Sequence, residues 1–405
     1  MKSRAEFPTL GSNLSTARED NLALVIKLIH KAGVCSRADI AAATGLKQAT
    51  ITNIVNDLIG WGLVIETGAI EGRLKRRSIG IALNKESYRL LGVRLSRDNI
   101  TTGVFDMANN LLEKRLFPLS RDIPPEAIVD QMLSMLKDIS STINYDMILG
   151  IGVALPGPFI ASEGRIALIS GFSGWESMDI QMRLRESFAL PVFLEHDANC
   201  AALAEWWHGK MEEKDCILLM QLDDGVGSAI IADGSLYRGG TGTAGEIGHA
   251  SIDYSGPKCQ CGNRGCLELY CSTLALRQQY KLEYLLDADA GDPPAREIIE
   301  AVRRGDAKAR AVYAKTATFL AFGLVNAINV LNPEIIVLSG VMSHAGDYLL
   351  EVMRPILKNR VIKDIYKNLD IRLGYFGEDN VLCGAGALVM EETLRFPSQY
   401  YKPVL

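Results

Sequence analysis

Apolar residues recur at helical spacing near the start of the chain. In NLALVIKLIHKAG, Leu22, Val25, Ile26 and Ile29 share one face, and Gly33 closes the run. SRADIAAATGL follows, with Ser36 placed as an N-cap, Ile40 and Ala43 facing inward, and Gly45 at the turn. KQATITNIVNDLIGWGLV then carries the stripe Ile51, Ile54, Val55 and Leu58, which Gly60 and Gly62 end. Helix, short helix, tight turn and helix is the helix-turn-helix order. The last stripe leaves Gln48, Thr50, Thr52, Asn53 and Asn56 on the other side, polar groups able to reach base edges and phosphates. In VIETGAIEGRLKRRSIGIAL two β-rich runs flank a basic tip, the pattern of a hairpin wing. Arg73, Lys75 and Arg76 on that tip suit phosphates or a narrow, A·T-rich minor groove. The plainer alternative is a small helical adaptor with a solvated basic loop.

Beyond residue 85 the period changes from helical to alternating. YRLLGVRLSRDNITTGVFDMANNLLEKRLF reads as three short antiparallel strands, and CILLMQLDDGVGSAIIADGSLYRGG reads the same way over 100 residues later. Each is followed by helix and strand patterns such as MILGIGVALPGP, PVFLEHD and PEIIVLSG. A repeated β-meander followed by α/β units predicts an α/β body of two similar lobes, with Gly-rich strand tips facing a cleft. The expected organisation is a winged helix-turn-helix over 1–85, a first lobe over 86–195 completed by a C-terminal helix within 380–405, and a second lobe over 196–379.

Charge sharpens this division. Residues 1–84 hold 11 Lys/Arg and 7 Asp/Glu, a net +4, while the whole chain is −5. A basic head on an acidic body suits a nucleic-acid module fused to something else. With 405 residues and 48% apolar composition, the chain can bury a core. It has no run of eighteen apolar residues, so no membrane span is expected. The N-terminus lacks the apolar segment of a secretory signal, and eight cysteines without one point to a reducing, cytoplasmic setting.

The cysteines are not spread evenly. In GEIGHASIDYSGPKCQCGNRGCLE, one histidine and three cysteines fall within eighteen residues. His249, Cys259, Cys261 and Cys266 form a one-His, three-Cys set, which matches a closed, structural Zn²⁺ site. Gly262 and Gly265 allow a tight fold between ligands. The alternative is three unrelated thiols beside a core histidine. Glu246 and Glu268 flank the set. A rigid metal loop would hold these carboxylates toward a ligand in the cleft, or they support the metal itself.

The stretches LGIGVALPGP, FLEHDANCAALAE, GTAGEIGH and CQCGNRGCLE, in this order, resemble the ROK family of repressors and sugar kinases. With the N-terminal unit included, the chain is similar to the Mlc/NagC-type sugar-responsive regulators, over roughly 15–395. The resemblance implies an actin-like body. It also implies sugar contacts from Glu246, His249 and Glu268, and a base position at Asp197. His196 stands where the kinases of the family usually have Asn, as it does in the regulator branch. Gly157 in LPGP either approaches a sugar hydroxyl or makes the turn. Trp175 matches a tryptophan near the family's sugar loop, but Gly171 stands where Asn is common; packing is the alternative for Trp175.

The phosphate loops of the kinases depart furthest. Leu95-Ser96-Arg97-Asp98-Asn99 replaces an Asp-x-Gly-Gly-Thr turn, and Asp223-Asp224-Gly225-Val226-Gly227 replaces Gly-Thr-Gly-x-Gly. Missing glycines remove the backbone cradle, and added carboxylates repel a triphosphate. The expectation is therefore a transcriptional regulator of sugar metabolism, a repressor and not an enzyme, that senses a sugar or sugar phosphate. It would bind double-stranded DNA at a pseudo-palindromic operator as a homodimer or homotetramer. An active ATP-dependent sugar kinase with Asp197 as base is one alternative. Control by a protein partner from a sugar transport system is another. No role is assigned to His30, His208 or His344.

Overall fold

The computed structural model describes residues 14–401 apart from 72–76, 121–122, 158, 161–164, 167–174, 176–177, 210, 212–213 and 285–290. The N-terminal unit runs α1 (Leu14–Ala32), β1 (Val34–Ser36), α2 (Arg37–Thr44), α3 (Gln48–Gly60), β2 (Val64–Glu71) and β3 (Arg77–Leu83), with its strands in the order β1-β3-β2. Ser36 caps α2 reciprocally: its Oγ accepts from Asp39 N at 3.1 Å, and Asp39 Oδ2 accepts from Ser36 N at 3.0 Å. The stripes of the three helices bury Leu22, Ile29, Ile40, Ile51 and Val55 completely. Ala43 does not share that fate. It is exposed, because α2 is only eight residues long and rests on the core through Ile40 and a half-buried Ala41.

The body repeats one topology. In the first lobe β4 (Arg89–Leu95), β5 (Asn99–Phe105) and β6 (Leu111–Pro118) form the meander, followed by α4 (Pro125–Ser140) and β7 (Ile148–Leu155). After the small ribbon β8 (Phe159–Ile160) and β9 (Arg165–Ile166) come α5 (Ile180–Ser187) and β10 (Val192–His196). The sheet order is β10-β7-β4-β5-β6, with β7 parallel to β4 and β10 parallel to β7. Central β7 is apolar along its whole length and buried at every position, whereas edge strand β6 alternates between half-buried and exposed.

Helix α6 (Asp197–His208) leads to the second meander, β11 (Cys216–Leu222), β12 (Val226–Ala232) and β13 (Ser235–Leu236). The chain continues through α7 (Glu268–Cys271), α8 (Thr273–Tyr284), α9 (Ala295–Arg303), α10 (Ala307–Leu331) and β14 (Ile335–Ser339). It ends with α11 (Asp347–Arg360), α12 (Lys363–Asn368), β15 (Asp370–Leu373), α13 (Asn380–Thr393) and α14 (Pro397–Tyr400). Sheet order β13-β12-β11-β14-β15, with β14 parallel to β11 and β15 parallel to β14, matches the first lobe strand for strand. The duplicated meander expected from the sequence is therefore the skeleton of both sheets.

Two helices join the halves. α13 packs on β4 and β7, as expected for a C-terminal helix returning to the first lobe, and it also packs along α6, which rests on β11 and β12. The approach is close: a Cβ on Gly384 would lie 1.9 Å from the Cys200 carbonyl oxygen, so only glycine fits there. α10 is the one helix among the described residues long and apolar enough to cross a membrane, but it buries Tyr313, Ala317, Leu320 and Leu324 in the second-lobe core.

Candidate functional site

A cavity of about 490 Å³ opens between the two lobes. Its walls include the residues of the body weighed from the sequence for a ligand or base role: Gly157, His196, Asp197, Glu246, His249 and Glu268. Asp197 opens α6 directly after β10, and its Oδ1 lies 3.2 Å from His196 Nε2. Behind this turn, buried Glu195 accepts from His196 N and from Asn199 Nδ2, both at 2.9 Å, and from Arg238 Nε at 2.8 Å. Glu195 and Arg238 carried no sequence signal, yet they fix the start of the helix that presents Asp197. Burial pushes the Glu246 carboxyl above its ordinary range, with His196 and His249 pulling the other way. Trp175 does not reach the cavity; it is buried in the first-lobe core. Gly171 lies outside the described residues.

The metal-type cluster sits beside this cavity. The donor atoms of His249, Cys259, Cys261 and Cys266 all lie within 4.8 Å of one another. Cys261 Sγ and Cys266 Sγ are 3.6 Å apart, and Cys259 Sγ is 3.7 Å from His249 Nδ1. Tetrahedral zinc with bonds of about 2.0–2.3 Å requires edges of roughly 3.5–3.8 Å, so the donor set fits one ion. Burial pushes the Cys259 and Cys266 thiols up, and a cation is what would hold such neighbours as thiolates. Gly265 makes the loop's turn in the left-handed region, where a Cβ would meet the Asp253 carbonyl oxygen at 1.8 Å. Glu268 serves both neighbourhoods. Its Oε1 lies 3.4 Å from Cys259 Sγ and from His249 Nδ1, while the residue also lines the cavity.

The same cavity carries the altered loops. Ser96, Arg97, Asp98 and Asn99 line it, as do Asp223, Asp224, Gly225 and Gly227. The two carboxylates read from the sequence as repelling phosphate are already bound. Asp223 Oδ1 accepts from Val341 N at 2.7 Å, and its Oδ2 accepts from Gln221 Nε2 at 2.8 Å and pairs with Arg94 at 3.3 Å. Asp224 Oδ1 accepts from Thr273 Oγ1 at 2.5 Å. Asp223 thus caps the backbone N–H after Gly340 and ties the second lobe to Arg94 of the first. Arg94 was missed; its only signal was a charge within a largely apolar strand. His344, given no role from sequence, also lines the cavity.

In the N-terminal unit, α3 turns its buried stripe inward and exposes Gln48, Asn53 and Asn56; Thr50 and Thr52 are half-buried. Thr52 Oγ1 donates to Gln48 O at 2.9 Å, and Asn56 Oδ1 accepts from Arg37 at 3.4 Å. Arg73, Lys75 and Arg76 lie outside the described residues.

Glu205, near the C-terminal end of α6, is 1% exposed. Its Oε1 accepts from Tyr375 N at 2.7 Å, and its Oε2 has no hydrogen-bond partner among the described residues. Burial pushes its carboxyl up to about 7, partly opposed by the Tyr375 and Phe376 N–H groups and by Arg372. The folded state therefore holds this proton at pH values where the unfolded chain has lost it. The stabilisation is complete below the ordinary carboxylate pKa and is lost as pH rises through about 7. Glu205→Gln is expected to raise the melting temperature by a few degrees at pH 8 and to change it little at pH 5, as read by calorimetry.

Comparison with known proteins places these features. A family model described as the ROK family matches residues 90–392. The xylose repressor of Caldicellulosiruptor bescii is 28% identical, covering 95% of this chain and 99% of its own length. A solved ROK family transcriptional regulator, described as a homologue of the E. coli MLC protein, superposes with a TM-score of 0.80 at 25% identity, over 95% of this chain and 99% of its own. A ROK family glucokinase from Streptomyces griseus, solved with glucose and AMPPNP, gives a TM-score of 0.68 at 24% identity. That likeness of fold covers 75% of this chain and 99% of the glucokinase.

Proposed function

The chain belongs to the ROK family, and from that premise we propose that it is a sugar-responsive transcriptional regulator, a repressor of sugar-metabolism genes. The N-terminal unit is read as a winged helix-turn-helix. The observation that carries the reading is the exposed polar face of α3, with Gln48, Asn53 and Asn56 opposite its buried stripe. Such a helix enters the major groove, and Asn side chains there pair with adenine edges. The similarity to a xylose repressor along nearly the whole chain supports the same conclusion.

The cavity end formed by Gly157, His196, Asp197, Glu246, His249 and Glu268 is read as the effector site for a sugar or sugar phosphate. His249, Cys259, Cys261 and Cys266 would hold Zn²⁺, which supplies a fixed, redox-silent geometry. Glu246 and Glu268 then accept hydroxyl protons from positions that do not drift. Asp223 fills the anion seat at Val341 N with the chain's own carboxylate, which argues against ATP-dependent turnover. The protein acts as a cytoplasmic homodimer or homotetramer on a two-fold operator. A kinase would instead show ATP turnover that Asp197→Asn abolishes. A transport-system protein replacing the sugar would show in membrane pull-downs and not in sugar titrations.

Asn53→Ala tests the DNA reading. It is expected to weaken binding to genomic fragments recovered by the wild type by roughly 5–100-fold, the cost of one lost base contact. Fluorescence anisotropy reads the affinity, and an unchanged affinity removes α3 as the reading helix.

A further inference from the structure

The loop at 374–379 lines the cleft and, through His208 of α6, is linked to the N-terminal unit. On one side, Gly377 and Glu378 line the cavity. Arg94 Nη1 donates to Glu378 O at 3.3 Å while Arg94 Nη2 holds Asp223, and Arg296 pairs with Glu378 at 2.8 Å. On the other side, the Phe376 ring meets His208 edge-on at 5.6 Å. His208 meets His30 of α1 at 5.3 Å, and His30 meets Trp207 at 4.9 Å. Between these sides, Glu205 pins the loop backbone through Tyr375 N. One turn before His30, Lys27 pairs with Glu391 of α13 at 3.0 Å and lies over the Trp207 ring. α1 is therefore seated on the body at the point where the loop's ring contacts end. Packed rings of this kind shift between discrete arrangements and do not deform smoothly.

We propose that the loop 374–379 transmits the state of the cleft to the N-terminal unit, through Phe376, His208 and His30. A ligand that repositions Arg94 or Glu378 moves the loop, the Phe376 ring shifts against His208, and α1 changes its seat on α6 and α13. The inference rests on reading the cleft as an effector site, but its test needs neither effector nor DNA.

The test is amide hydrogen exchange on the full-length chain, read at residues 22–32 of α1, for wild type, Arg94→Ala, Phe376→Ala and the double variant. Arg94→Ala frees the loop from the cleft and is expected to speed exchange in α1 by tenfold or more, although residue 94 does not touch α1. Phe376→Ala is expected to do the same, and the double variant to be no faster than Phe376→Ala alone. Unchanged α1 exchange in Arg94→Ala, or single effects that multiply in the double variant, overturns the proposal. If Phe376→Ala loses cooperative melting, Phe376→Leu takes its place in the same cycle. A chain that binds no DNA leaves this cycle standing, and a failed cycle leaves DNA binding standing.

Discussion

A Cys259→Ser protein is expected to retain less than a tenth of the zinc of the wild type and to melt at a clearly lower temperature. The four donors lie within 4.8 Å of one another, and two of their separations, 3.6 Å and 3.7 Å, are tetrahedral edges. A serine hydroxyl is a poor replacement for a thiolate at neutral pH, and a structural zinc site contributes folding free energy of about 10–16 kcal/mol in small domains. Here the cluster organises a loop within a larger lobe, so the second lobe's core should survive. The stretch holding Glu246, His249 and Glu268 should not. Sugar binding is lost with the metal, and atomic absorption with calorimetry reads both effects. One zinc per chain in the variant would mean that the cluster is not the metal site.

Glu246→Ala separates ligand contact from metal support. Glu246 lines the cavity and is desolvated there, and no described contact joins it to the cysteines. A hydrogen bond to such a charged acceptor is worth about 1.5–3 kcal/mol, so sugar affinity should fall by roughly 10–100-fold with zinc content unchanged. Glu268→Ala should differ. Its Oε1 sits 3.4 Å from both Cys259 Sγ and His249 Nδ1, so both zinc retention and sugar affinity should suffer. Isothermal titration alongside metal analysis distinguishes the two. Zinc loss in Glu246→Ala would assign that residue to the metal instead.

What the sequence made legible follows from range. The stripes of α1, α2 and α3 are local, and their periodicity placed Leu22, Ile29, Ile40 and Ile51 in the core where the structure has them. The two meanders are also local patterns, and they became two sheets of one order. The Cys/His spacing carried the metal-type cluster because three of its four members lie within eight residues. Ala43 misled because a single short helix does not determine its own inward face; α2 rests on the core through Ile40, with Ala41 half-buried beside it.

Long-range pairing was not legible. Arg94 and Asp223 are 129 residues apart, and nothing local announces that they meet. The carboxylates at 223 and 224 read from the sequence only as hostile to phosphate, and nothing local revealed that Val341 N and Thr273 already occupy them. His30, His208 and Phe376 looked like unrelated residues, and only the fold brings α1, the end of α6 and the 374–379 loop to one point.

The proposed function is that of a DNA-binding head governed by a sugar-type cleft. It is tested most directly by incubating the purified full-length protein with fragmented genomic DNA from its source and sequencing the bound fragments, with and without a panel of free and phosphorylated sugars. The expected result is a few enriched fragments that share a two-fold, A·T-rich motif, with one sugar changing their recovery. Recovery of no fragment under any condition, together with ATP-dependent phosphorylation of a sugar in the panel, would contradict it.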